Sequence, residues 1–263
     1  MTAAIPRGPH GRLPFVLLGV GLLALGGCAA LSLKQPESAP YPVPTIAKPT
    51  APPKKSAHPG GSSLTDEQAQ AALLTQTDLG APWTATRGAA TWRDALLKAT
   101  TAAGACQKFL DALYADELLG GPAQAAVGLD DADTDAQLRY AIAARRPSDV
   151  DAALAWLSTM PVQCARFTAT TQTGITEDVQ IGAAALPEVG DARQGLRVSL
   201  AAMTRDGQQA LLTMDVAAVR VGQDSFTLTN GGLGDIGNDA TQAAVQIGAL
   251  RLADVRRQGH AEV

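Results

Sequence analysis

Histidine is scarce in this chain, and none of its three copies lies in the central part. They are His10, His58 and His260, so no histidine occurs between residues 59 and 259. A Ser-His-Asp triad, a Cys-His pair and a His-containing zinc cluster all need an imidazole inside the folded domain. The sequence also has no GxSxG, HExxH or P-loop motif. These absences exclude the hydrolases and nucleotide-dependent enzymes that such motifs define.

Paired carboxylates are the catalytic chemistry that this composition leaves open. Residues 64–263 contain 24 acidic side chains, and two carboxyl groups suffice for glycoside hydrolysis. No pair stands out by its position. Glu177 and Asp178 fall in a predicted turn, where we expect both side chains to be solvated. The sequence therefore predicts a protein that is not an enzyme, without cofactor or metal.

Positive charge is also in the minority, because the formal net charge is −4. Residues 64–263 hold 15 basic side chains, whereas residues 1–63 hold six basic side chains and one acidic residue. A domain with this excess of acids is not expected to coat nucleic acid. The opposite charges of the two parts indicate that they have different roles.

The N-terminus resembles a lipoprotein signal. Arg7 and Arg12 precede an apolar run over residues 13–25, which is too short to span a bilayer as a helix. The run ends in Leu-Gly-Gly before Cys28, as in the bacterial lipobox, where the thiol is acylated and the chain is cut just before it. We expect residues 1–27 to be the signal peptide and Cys28 to carry the lipid anchor. An ordinary signal peptide with a chance cysteine, or an uncleaved anchor, is the alternative.

A proline-rich segment follows the lipidation site. Residues 29–63 contain eight prolines and end in Gly-Gly-Ser-Ser. Proline removes backbone donors and fixes φ, so this segment cannot build a sheet or a long helix. We interpret residues 28–63 as a disordered tether with a reach of up to roughly 100 Å.

Two cysteines remain for the domain at residues 64–263. Cys106 and Cys164 would lie in an exported, oxidising compartment, where paired thiols form disulfides. A disulfide between them would close a loop of about 58 residues and stabilise the fold by roughly 4 kcal/mol. A free thiol or a metal site is the alternative, although the chain has no CxxC and no nearby histidine.

The periodicity of residues 64–263 predicts an α+β fold. Helical spacing of apolar residues predicts helices at 64–75, 105–119, 149–160 and 239–257, the first with Thr65 as N-cap. Alternating or β-branched runs predict strands at 136–144, 165–173, 178–184, 194–204, 210–220 and 225–229. Because the last strands are joined by short turns, they should form an antiparallel twisted sheet with helices packed on one face, in a single domain.

A glycine pattern near the C-terminus imitates a nucleotide-binding motif. Residues 232–237 spell GxGxxG between a predicted strand and a predicted helix. Only 26 residues follow Gly237, too few for the second parallel strand that a dinucleotide site requires. We interpret the pattern as a glycine-rich turn into the last helix.

The combination of lipobox, proline-rich tether and α+β domain resembles actinobacterial lipoproteins with a PknH-like sensor domain, named after the outer domains of mycobacterial Ser/Thr kinases. The resemblance is carried by a leading helix with Leu73 and Leu74, Trp156 before Cys164, the segment 219–222 before a late strand, and a helix after Gly237. It implies a binding rather than a catalytic domain. Members commonly carry two disulfides around a cleft, whereas here only Cys106 and Cys164 are available.

These features predict a lipoprotein anchored on the extracytoplasmic side of the cell membrane. Its domain would act as a non-catalytic, sensor-like module for an unknown envelope ligand or protein partner. The alternative is a carrier of lipid or glycolipid with a hydrophobic cavity. A carrier should show a large apolar cavity, whereas a sensor module should show a polar cleft or a partner patch.

Overall fold

Nine antiparallel strands form one sheet in the computed structural model, which describes residues 64–261. The expected signal peptide, Cys28 and tether therefore lie outside the described residues. The strands are β1 (Trp83–Ala85), β2 (Ala99–Thr100), β3 (Ala123–Asp131), β4 (Gln137–Ala143), β5 (Arg166–Thr171), β6 (Thr176–Ala183), β7 (Ala192–Met203), β8 (Gln209–Val221) and β9 (Asp224–Leu233). Their order across the sheet is β1-β3-β4-β9-β8-β7-β6-β5-β2.

Five α-helices accompany the sheet, which confirms the predicted α+β class. They are α1 (Asp66–Ala71), α2 (Gln76–Leu79), α3 (Gly104–Tyr114), α4 (Pro147–Gln163) and α5 (Asp239–Ala261), and a π-helical turn spans Arg93–Leu97. Within the described part of the chain, these helices are too short or too polar to cross a membrane.

The predicted hairpins come from turn residues that accept a positive φ. Gly207, at the turn between β7 and β8, has φ 79°, and Gly222, between β8 and β9, has φ 62°. Glycine reaches this left-handed region without steric penalty, so both turns can be tight. The three long strands β7, β8 and β9 consequently pair along most of their length and form the centre of the sheet.

The helices cover both faces of the sheet, so the expectation that they pack on one face was wrong. Alternate side chains of β8 explain the difference. Met214 and Val216 belong to the core cluster that contains the buried residues of α3 and α4, whereas Ala217 and Val219 belong to the cluster that contains those of α1 and α5. Because β8 is apolar on both sides, each side must be buried against a helix. We call the two sides the α4 face and the α5 face.

The C-terminal ends of the helices differ from the predicted ones, and for α3 and α4 the backbone shows the reason. Helix α3 ends at Tyr114 because Asp116 adopts φ 58°, which a right-handed helix cannot include. Helix α4 runs past Pro161, where we expected it to stop. Pro161 lies in the last turn, so its missing N–H removes one hydrogen bond, and Cys164 N still donates to Met160 O over 2.9 Å.

A disulfide joins these two helices on the α4 face. Cys106 in α3 and Cys164 at the end of α4 are bonded, 58 residues apart in sequence, and both are buried. Phe109 and Trp156 pack nearby with ring centroids 6.3 Å apart. The bond is the one expected from the sequence, and it ties α3 to α4 beneath the β6–β8 part of the sheet.

Candidate ligand-binding cleft

A cleft of about 200 Å³ opens on the α4 face above β3, β4 and β9. The side chains that point to this face are small or polar. They include Ala126 in β3, Arg139 and Ala141 in β4, and Thr227 and Thr229 in β9. The chain after α3, from Ala115 to Leu118, forms the opposite wall. We call this space the polar cleft.

One carboxylate organises the wall of the polar cleft by pairing with two arginines. Arg93 Nη2 donates to Asp116 Oδ1 over 2.9 Å, and Arg139 Nε donates to Asp116 Oδ2 over 2.8 Å. The side chain of Arg93 is only 5 % exposed. Burial lowers the pKa of Arg93, and the charge of Asp116 opposes this shift.

The local backbone places these three side chains. The π-helical turn holds Arg93, whose Nη2 also donates to the carbonyl oxygens of Leu113 and Tyr114 at the end of α3. Carbonyls in the last turn of a helix lack their usual donor four residues later, and Arg93 supplies a donor to both, although Leu113 O also accepts from Asp116 N over 3.4 Å. Asp116 follows at once in the left-handed region, which turns its carboxylate back toward Arg93 and Arg139.

The polar cleft also contains an unused hydrogen-bonding group. Thr229 Oγ1 is buried and has no hydrogen-bond partner among the described residues. An unpaired buried hydroxyl is unfavourable by about 1–3 kcal/mol, so its environment favours a group that can bond to it. Arg139 uses Nε for Asp116 and keeps 31 % of its side chain exposed. The floor of the polar cleft therefore presents a guanidinium and a hydroxyl to the same space.

A wider, open depression of about 760 Å³ lies near the same edge of the sheet. It is lined partly by Trp92, Gln137 and Asp130. Gln137 Nε2 donates to Asp130 Oδ1 over 2.8 Å, while Gln137 Oε1 accepts from Ala90 N over 3.2 Å. These bonds hold the loop before the π-helical turn against β4.

The residues singled out in the sequence do not form the polar cleft. Cys106 and Cys164 are buried in their disulfide and do not line it. Glu177 was wrongly expected in a solvated turn, since it lies in β6 with 1 % of its surface exposed. Burial raises the pKa of Glu177 to about 7. Among the described residues, no three His, Cys, Asp or Glu side chains are placed to hold a metal ion.

Sequence reasoning missed Arg93, Asp116 and Thr229 because each comes from a different element. Arg139 gave the one usable signal. It interrupts an otherwise apolar strand, Leu138 to Ala143, whose other side chains are nearly all buried. A charged residue in such a strand needs a partner or a cavity. That reasoning would have placed a polar site on β4 without identifying the rest of it.

The described residues thus define an antiparallel α+β domain with a polar cleft on one face of its sheet. No family model and no curated protein matches the chain. Among solved structures it is similar to the crystal structure of the extracellular domain of PknH from Mycobacterium tuberculosis. The two chains are 18% identical, and the match covers 75% of this chain and 100% of that chain with a TM-score of 0.43.

Proposed function

We propose that this protein is a lipid-anchored component of the cell envelope whose domain binds a small polar ligand without transforming it. The observation that carries the proposal is the polar cleft, where Arg139 and the unpaired hydroxyl of Thr229 face the same space. A guanidinium and a hydroxyl together suit a ligand with a carboxylate, phosphate or carbonyl group.

The lipid anchor is supported by the sequence of the first 63 residues. The apolar run, the Leu-Gly-Gly before Cys28 and the proline-rich segment have the order expected of signal, lipidation site and tether. In this proposal residues 1–27 are removed, Cys28 carries acyl chains, and residues 28–63 hold the domain away from the membrane. More than one acyl chain would keep the protein bound, because a single chain gives only reversible attachment.

The contents of the polar cleft favour binding over catalysis. Its central carboxylate, Asp116, has both oxygens engaged by guanidinium groups, so it is poorly placed to take a proton from a substrate. The other acidic residue that lines the polar cleft, Glu117, directly follows Asp116 in the chain and lies on the same wall. We therefore assign Asp116 the task of positioning Arg139.

A lipid or glycolipid carrier is the alternative function. Such a carrier needs an apolar cavity large enough for an acyl chain. The polar cleft measures about 200 Å³ and has Asp116, Glu117 and Arg139 in its walls, so it suits a small polar molecule better. The two functions predict different molecules bound to the isolated protein, a small polar ligand in one case and a lipid in the other.

Native mass spectrometry of the full chain purified in detergent from its own membranes tests the proposal. We expect a small polar adduct that is lost in Arg139→Ala. Arg166→Ala is the matched control, because Arg166 is exposed on β5 and hydrogen-bonds only to Gln180 among the described residues. A solvent-extractable lipid that is retained in Arg139→Ala would favour the carrier and contradict the proposal.

A further inference from the structure

A second cavity, of about 470 Å³, lies where β9 leads into α5, and Asn230 reaches it from the α5 face. Arg139 and the polar cleft are on the other face of the sheet. The glycine-rich turn noted in the sequence forms one wall of this cavity. Its polar and aromatic walls come from Trp83, Asp131, Asn230, Asp235 and Asp239.

A chain of hydrogen bonds fixes the orientation of the side-chain amide of Asn230. Arg197 Nη1 donates to Asp215 Oδ1 over 2.9 Å, so Asp215 acts as an acceptor. The Thr241 hydroxyl therefore donates to Asp215 Oδ2, over 3.0 Å. Having used its proton, Thr241 Oγ1 can only accept, and it accepts from Asn230 Nδ2 over 3.2 Å. The amide oxygen of Asn230 must then point away from Thr241.

That amide oxygen is an acceptor without a donor. Asn230 is 2 % exposed, it lines the cavity, and its Oδ1 has no hydrogen-bond partner within the described residues. An unsatisfied buried acceptor is unfavourable because it has lost its hydrogen bonds to water without gaining a donor from the protein. A ligand that presents an N–H or O–H group here would remove this penalty, whereas a ligand with only acceptors would not.

The charges of the cavity point to a positively charged ligand. Three carboxylates line it, from Asp131, Asp235 and Asp239, and no Lys or Arg is among its lining residues. Asp239 lies in the first turn of α5, where its charge offsets the partial positive charge of the helix start. Arg197 Nη2 donates to Asp235 Oδ1 over 2.6 Å, so it partly neutralises this one of the three carboxylates.

The spacing of these groups excludes a simple metal site in favour of a larger molecule. No three acidic side chains in the described part of the chain come close enough to hold one ion. They surround a cavity large enough for a small organic molecule instead. The indole of Trp83 in its wall suits a cation as well, because aromatic rings attract organic ammonium groups.

We propose that this cavity, called here the amine site, binds a small organic ammonium compound that also carries hydroxyl groups, the chemistry of an amino sugar. The ammonium group pairs with the carboxylates, and an N–H or O–H donor satisfies Asn230 Oδ1. The amine site is separate from the polar cleft and would add a second ligand to the proposed function.

Isothermal titration of the full chain in detergent tests the amine site. The probes are glucosamine, N-acetylglucosamine and glucose, which share a ring and differ in charge. We expect glucosamine to bind at least tenfold more tightly than the two neutral sugars. High salt should weaken this binding, because the carboxylates are partly exposed to solvent.

Two variants locate the binding. Asp239→Asn should weaken glucosamine binding by roughly threefold, since each charge pair that is exposed to solvent contributes little. Asp178→Asn makes the same change of charge at an exposed position of β6 that does not line the cavity, and should have no effect. Asn230→Leu removes the acceptor and should abolish binding. If that variant fails to fold, Asp239→Asn against Asp178→Asn still decides the location.

Four results would overturn the proposal. The first is equal affinity for the three sugars, which would remove the role of the ammonium group. The second is no detectable heat with glucosamine up to roughly tens of millimolar. The third is heat with Ca²⁺ alone, and the fourth is an equal effect of Asp239→Asn and Asp178→Asn. Each of these leaves the proposed ligand of the polar cleft unaffected, because Arg139 and Thr229 lie on the opposite face.

Discussion

Arg93 is buried beneath the polar cleft with its guanidinium paired to Asp116, over 2.9 Å from Nη2 to Oδ1. Asp116 is also the residue whose positive φ ends α3. One residue therefore sets the end of a helix, neutralises a buried arginine and positions Arg139. The role of its backbone can be separated from the roles of its carboxylate by substitution.

The first prediction concerns the charge and the backbone of Asp116. Asp116→Ala should lower the free energy of unfolding by about 3–5 kcal/mol, because it leaves the charge of Arg93 buried without a partner. Asp116→Gly also loses the charge, but glycine accepts φ 58°, so it should be less destabilising by about 1 kcal/mol. Urea unfolding measures both. A loss below 0.5 kcal/mol in Asp116→Ala, taken as roughly the noise of surface substitutions, would contradict this account.

The second prediction concerns the disulfide between α3 and α4. Replacing Cys106 and Cys164 together by serine should lower the free energy of unfolding by about 2–4 kcal/mol, because the unfolded chain regains the freedom of a loop of 58 residues. Thermal unfolding with and without a reducing agent measures the effect. The reducing agent should destabilise the wild-type protein and leave the double variant unchanged, whereas an equal response of both would show that the bond contributes nothing.

Local features of the fold were predictable from the sequence, whereas distant pairings were not. The start of the first helix was predicted correctly because Thr65 and Gln68 form a capping box only three residues apart, whereas its end was predicted four residues too late. Strand β3, Ala123–Asp131, was missed because it is rich in alanine and glycine, which have low β-propensity. It becomes a strand by pairing with β4 and β1, and no local pattern encodes that.

Glu177 shows how a small error in a predicted strand boundary places an ionisable side chain in solvent when it is buried. The predicted strand began at Asp178, but β6 begins at Thr176, after the turn at Gly174. Side chains alternate along a strand, so Glu177 falls on the same side as Val179 and Ile181. Both of those are buried in the core on the α4 face. The alternation was readable from the sequence once the turn was placed two residues earlier.

The third prediction concerns the anchor. Cys28→Ala should prevent lipidation, so that the protein is released or remains unprocessed, because no other residue near position 28 offers a thiol. Labelling of cells with a radioactive or clickable fatty acid, followed by membrane fractionation, measures this. The double serine variant of Cys106 and Cys164 is the control, since it removes cysteines and keeps position 28. Unchanged labelling of Cys28→Ala would contradict the lipobox interpretation.

The fourth prediction concerns the pH dependence of stability. Glu177 is 1 % exposed, and neither of its carboxylate oxygens has a hydrogen-bond partner among the described residues. Burial raises its pKa from 4.5 to about 7 in the folded protein. The folded state therefore binds a proton more tightly than the unfolded state does, and its stability falls as the pH rises above 4.5.

The loss of stability is complete once the pH exceeds about 7, the pKa of Glu177 in the folded protein, and should then reach about 3 kcal/mol. Glu177→Gln cannot ionise, so its stability relative to the wild-type protein should rise by that amount between pH 4 and pH 9. Asp178→Asn is the matched control, because Asp178 is exposed on the same strand and should show no comparable trend. Urea unfolding at several pH values measures the difference. Parallel pH profiles for Glu177→Gln and the wild-type protein would mean that Glu177 has a partner in solution, because only a hydrogen bond or a counter-charge could stabilise the buried carboxylate.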